Sequence, residues 1–94
     1  MPRPRKFRQI NFEPNVTYFK PAGVRLRDLE EVTISFEELE ALRLQNNLDL
    51  NQEDAAKMMQ ISQPTYYRII KEVRQKITDA LVNEKAIKKE KKQI

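Results

Sequence analysis

The residues with most to offer chemically stand together. Gln63, Thr65, Tyr67, Arg68 and Lys71 fall in the stretch QPTYYRIIK, and no acid interrupts them before Glu72. An amide, a hydroxyl, a phenol, a guanidinium and an ammonium group are the set that reads base edges or grips phosphates. If the stretch is helical with Tyr66 and Ile69 turned inward, these five point to solvent or a ligand. The expectation is that Gln63, Thr65, Tyr67 and Arg68 meet bases, while Gln52, Ser62, Lys71, Arg74 and the arm residues Arg3, Arg5, Lys6 and Arg8 hold phosphates.

A pair of helices has to position that set. Between Gln52 and Lys71 the apolar positions Ala55, Ala56, Met59, Ile61, Tyr66 and Ile69 change spacing at 60–62, the pattern of two short helices meeting steeply. Ala55 and Ala56 are small enough for the close approach such a crossing needs and cost no helix propensity. Ser62 is a good N-cap, and Pro64 in the first turn loses nothing by lacking an N–H. Upstream, Ser35-Phe36-Glu37-Glu38 fits a capping box and opens a helix expected to end near Asn46–Asn47, with Phe36, Leu39, Leu42 and Leu44 on its apolar face. Asn51 is placed to cap the helix that starts at Gln52, whose side chain or amide can meet a phosphate. The last helix keeps its three-and-four spacing through Tyr66, Ile69, Ile70, Val73, Ile77, Ala80 and Leu81, and is expected to be long.

The remainder of the chain divides by composition. Residues 1–14 alternate bases with prolines and are expected to form an extended basic arm that enters a minor groove, lies along phosphates, or is a solvated tail; Phe7, Ile10 and Phe12 offer anchors onto the body instead. Residues 15–34 mix strand formers (Val16, Tyr18, Phe19) with turn signals (Pro21, Gly23), and Leu26 to Glu31 suits a short helical turn. Residues 35–83 carry the helices. Residues 84–94 are lysine-rich and read as a frayed tail. The fold class expected is mainly α: a helix-turn-helix core of three helices with an extended N-terminal arm and a long C-terminal helix.

At 94 residues and 39% hydrophobic, the chain has material for one modest core. It contains no histidine and no cysteine, so thiolate metal sites, disulfides and histidine bases are excluded, and a cofactor or enzymatic activity is not expected. No apolar run suits a membrane span or a signal peptide, and a cytoplasmic protein is expected. The net charge of +4 is segregated. From Glu37 to Asp54 the only base is Arg43; from Lys57 to Lys76 the only acid is Glu72. A basic side opposite an acidic one suits an anionic partner, although a single charge run is equally a solvated surface.

The opening MPRPRK, the YFKPAG segment, LEEVTIS followed by ELEALRL, the central QEDAAKMMQIS and the ending KITDALVNEKAI together resemble a family of small uncharacterised bacterial and archaeal proteins predicted to bind DNA. The resemblance reaches to about Ile87. It implies a helix-turn-helix related to the promoter-reading domain of sigma factors and a role in transcription regulation. This chain departs from the family's usual pattern by carrying Gln60 where glycine is common, Tyr67 where a small residue is common, and Phe7 where cysteine is frequent.

The leading expectation is therefore sequence-specific binding of double-stranded DNA, with a homodimer serving two half-sites. Two other expectations remain beside it: a module docking on RNA polymerase through its acidic first helix and long last helix, and RNA binding.

Overall fold

Ser35, Asn51 and Ser62 start the three helices, as their cap chemistry requires. Ser35 Oγ accepts the Glu38 amide at 3.1 Å, and Glu38 Oε1 accepts the Ser35 amide at 3.0 Å, completing the capping box ahead of α1 (Phe36–Leu42). Asn51 Oδ1 accepts the Asp54 amide at 2.8 Å at the head of α2 (Gln52–Met59). Ser62 Oγ accepts the Thr65 amide at 3.3 Å ahead of α3 (Gln63–Val82), with Pro64 in the first turn. The computed structural model describes residues 16–90, so the arm expected over residues 1–14, with Arg3, Arg5, Lys6 and Arg8, lies outside the described residues.

The helices do not stand alone: the expected three helices with a long last one are present among the described residues, and the mainly α expectation is corrected only in that a small sheet joins them, making a helix-rich mixed architecture. The strands are β1 (Val16–Phe19), β2 (Glu31–Ile34) and β3 (Ala86–Glu90), in the spatial order β1-β3-β2. β1 runs antiparallel to β3, with Val16 opposite Glu90 and Phe19 opposite Ile87. β2 runs parallel to β3, with Glu31 opposite Ala86 and Ile34 opposite Lys89. Parallel neighbours need a crossover, and here the crossover is the whole helical unit from α1 to α3. The sheet thus straps the helices at both ends.

The central strand comes from the segment expected to be a frayed lysine-rich tail. Ala86 is fully buried and Ile87 packs against the core, while Lys88 and Lys89 are half-buried and Lys89 Nζ stands 6.0 Å from the centroid of the Phe19 ring. Two apolar residues are too few to announce a strand. It is fixed by hydrogen bonds to two segments distant in sequence, a case of tertiary pairing overriding local composition. The expected strand piece at Val16–Phe19 is present, and the expected helical turn is a 3-10 turn at Leu26–Asp28.

α1 passes into a π-helical turn over Arg43–Asn47, where the Leu48 amide reaches the Arg43 carbonyl at 2.9 Å. Ile34, Ala41, Leu44, Ala55, Ala56, Tyr66, Ile69, Ile70 and Val73 form the core between the helices and the sheet. Ala55 and Ala56 are buried where α2 meets α3, the place for which their size suits them.

Helical segments are closed by left-handed residues that are not glycine. Asp49 has φ 64°, Gln60 φ 60° and Glu84 φ 57°. At Gln60 the Ile61 amide returns to the Ala56 carbonyl at 3.1 Å, and at Glu84 the Lys85 amide returns to the Ala80 carbonyl at 2.9 Å. Both are the six-to-one bond of a Schellman closure. Among the described residues no helix is long and apolar enough to cross a membrane.

Candidate nucleic-acid interface

α3 is a 20-residue helix, about 30 Å long at 1.5 Å per residue. Its buried side is Tyr66, Ile69, Ile70, Val73 and Ala80. Tyr66 is 0% exposed, whereas its neighbour Tyr67 is 51% exposed, so the two tyrosines divide as their spacing predicts. Gln63, Tyr67, Arg68 and Lys71 all lie on the exposed side. Lys71 Nζ stands 6.0 Å from the centroid of the Tyr67 ring, one helical turn away. Tyr67, Lys71 and Arg74 continue into Gln75, Thr78 and Val82 as one lining of a broad shallow groove along α3.

Other residues singled out in the sequence are placed differently. Thr65 is half-buried, and its hydroxyl accepts from Ser62 Oγ at 2.9 Å, so both hydroxyls serve the helix cap. Gln52 is half-buried in the first turn of α2 and is not part of the α3 groove lining.

The cations of the region differ in how they are held. Arg43 is tied to Glu40 at 2.7 Å, which raises its pKa through the shared hydrogen bond, and Lys76 is tied to Glu38 at 2.9 Å. Lys85 bonds Asp79 at 2.8 Å; that hydrogen bond, with one from Asn83, holds the Asp79 carboxyl below its ordinary range and raises the Lys85 ammonium. Arg68, Lys71 and Arg74 have no ion pair among the described residues. Arg74 reaches instead to a neutral acceptor: its Nε and Nη2 donate to Asn46 Oδ1 at 3.3 and 2.8 Å. Burial raises the Tyr66 phenol, and the nearby Arg74 charge partly offsets that.

Nothing in the sequence around Asn46 points to Arg74, 28 positions further on. By contrast, Gln75 and Thr78 follow Lys71 and Arg74 by one turn, a spacing open to inspection beforehand. Among the described residues no cluster of histidine, cysteine, aspartate or glutamate is arranged to hold a metal ion.

Among the described residues, fold and site together define a small module of three α-helices strapped by a three-stranded sheet, with the cations Arg68, Lys71 and Arg74 exposed along α3. The chain belongs to the family described as "Protein of unknown function DUF134", which matches residues 1–92. It is 59% identical over 90 residues to a UPF0251 protein of Caldanaerobacter subterraneus subsp. tengcongensis, covering 96% of this chain and 76% of the relative. Identity is 56% over 90 residues to a UPF0251 protein of Moorella thermoacetica, covering 96% of this chain and 60% of the relative. It is 51% over 88 residues to one of Dehalococcoides mccartyi, covering 94% and 75%. No solved structure matches the chain significantly.

Proposed function

We propose that this protein binds double-stranded DNA by laying the first turns of α3 in the major groove, and that it regulates transcription in the cytoplasm. The observation that carries the reading is the exposed side of α3. Gln63, Tyr67, Arg68 and Lys71 stand outward on a capped helix whose opposite side is buried, with no carboxylate before Glu72 and no ion pair holding Arg68 or Lys71 among the described residues. In this reading α2, the left-handed Gln60 turn and α3 act as a helix-turn-helix of the sigma-factor type, as the family resemblance implies. Gln63, Tyr67 and Arg68 meet base edges; Lys71 and Arg74 meet phosphates. Ser62 contributes by capping the helix, and Thr65 by holding that cap.

A second reading, in which the module docks on another protein or on a second copy of itself, draws on a different observation. Leu81 and Val82 are each 71% exposed and Phe19 55%, which leaves apolar surface near the far end of α3 for a partner such as RNA polymerase.

Titration of a fluorescent mixed-sequence duplex, with a structured RNA as competitor, separates these. DNA binding should weaken steeply as salt rises because phosphate contacts release counterions. The double variant Arg68→Ala, Lys71→Ala should lose that binding while unfolding at the wild-type temperature. Unchanged binding contradicts the groove assignment; preferential displacement by RNA replaces DNA with RNA as the partner.

A further inference from the structure

We infer that Asn46 is a positioning residue for DNA, holding Arg74 in the orientation that grips a backbone phosphate. The inference rests on the DNA-binding reading and adds a residue from the first helical segment, outside the helix pair, to its machinery.

Arginine presents a side edge, formed by Nε and one Nη, and an end edge, formed by the two Nη groups. Asn46 Oδ1 accepts from Nε at 3.3 Å and from Nη2 at 2.8 Å, so it occupies the side edge. The end edge keeps one N–H on each Nη, the geometry for a two-pronged bond to a phosphate. Arg74 is exposed and shares the α3 groove lining with Tyr67 and Lys71.

The chemistry of the holder matters as much as its position. Arg25, Arg43, Lys76 and Lys85 are each paired with a carboxylate, which cancels much of the field an anion would feel. Arg74 is oriented by an amide oxygen and keeps its full charge. Asn46 itself lies in the π-helical turn over Arg43–Asn47. A π turn admits an extra residue and changes the direction in which those following α1 point. An arginine fixed before it binds gives up less side-chain freedom on contact with DNA.

The test is a set of titrations of a mixed-sequence duplex at several salt concentrations, with thermal unfolding of each variant as the check on folding. Arg74→Ala should weaken binding and lower the salt slope by about one. Asn46→Ala should weaken binding about fivefold at an unchanged slope, because the phosphate contact still forms but from a freer side chain. Asn46→Ala added to Arg74→Ala should change nothing more. Asn46→Asp distinguishes the role from mere bracing: it retains the acceptor but neutralises Arg74, so it should bind at least as weakly as Asn46→Ala and with a lower slope. Restoration of wild-type binding by Asn46→Asp, or an Asn46→Ala effect that persists without Arg74, overturns this assignment alone. A wild-type chain with no salt-sensitive duplex binding overturns the underlying DNA reading as well.

Discussion

The Tyr66 hydroxyl donates to the Ala41 carbonyl at 2.7 Å, entirely within the core. It joins α3 to α1 next to the place where the first helix widens into its π turn. The bond fixes the rotation of α3 about its own axis, and with it the direction of Tyr67. Tyr66→Phe removes the donor and leaves a buried carbonyl poorly satisfied, which should cost about 1–2 kcal/mol. Urea denaturation measures this; a variant as stable as wild type would show that apolar packing alone orients the helix.

Gln60 closes α2 with φ 60° and ψ 42°, a conformation that L side chains adopt at a cost and glycine adopts freely. Gln60→Gly should therefore stabilise the domain by about 0.5–1 kcal/mol, after allowance for the greater freedom of glycine in the unfolded chain. The melting temperature should rise. A fall would show that the Gln60 side chain makes a contribution beyond its backbone.

β3 supplies a structural prediction for the lysine-rich end. Ile87 lies opposite Phe19 in β1 and Val32 in β2 and packs against the core. Ile87→Ala should cost about 1–2 kcal/mol, at the low end for a core truncation because the side chain is only half-buried. Were this segment the solvated tail that its composition suggests, the same change would leave the urea midpoint where it was.

Asp79 sets a pH dependence. Its carboxyl is held below the ordinary range by hydrogen bonds from Lys85 and Asn83. The unfolded chain therefore takes up this proton first as the pH drops. The contribution is full above the unfolded carboxyl value of about 4 and is lost as pH falls through the lower folded value. Lys85, raised mainly by the same bond, contributes fully below its ordinary value of 10.5 and loses that contribution as pH rises through the higher folded value. Asp79→Asn should flatten the acid limb of melting temperature against pH. An acid limb identical to wild type would assign acid sensitivity to other carboxylates.

The helical unit was legible because its signals are local. Ser35, Asn51 and Ser62 are caps wherever they occur before a helical spacing, and Tyr66, Ile69, Ile70 and Val73 repeat at the period of one face. The exposed placement of Gln63, Tyr67, Arg68 and Lys71 follows from the same period. What escaped depends on distance along the chain. Ala86 and Ile87 become a central strand only because β1 and β2 lie on either side of them. Asn46 meets Arg74 only because the π turn and α3 pack together. The Ser62 cap was legible for the same local reason, but the bond from its hydroxyl to that of Thr65 is announced by neither residue's type.

Selection of bound sequences from a random duplex pool tests most directly the reading of DNA by α3. Wild type should enrich a short motif, with two spaced half-sites if the protein binds as a dimer. Tyr67→Ala should enrich an altered motif, because the exposed ring stands among the base-facing residues, while keeping the wild-type salt dependence. A wild-type chain that enriches no sequence would contradict the account and leave the exposed face of α3 to a different partner.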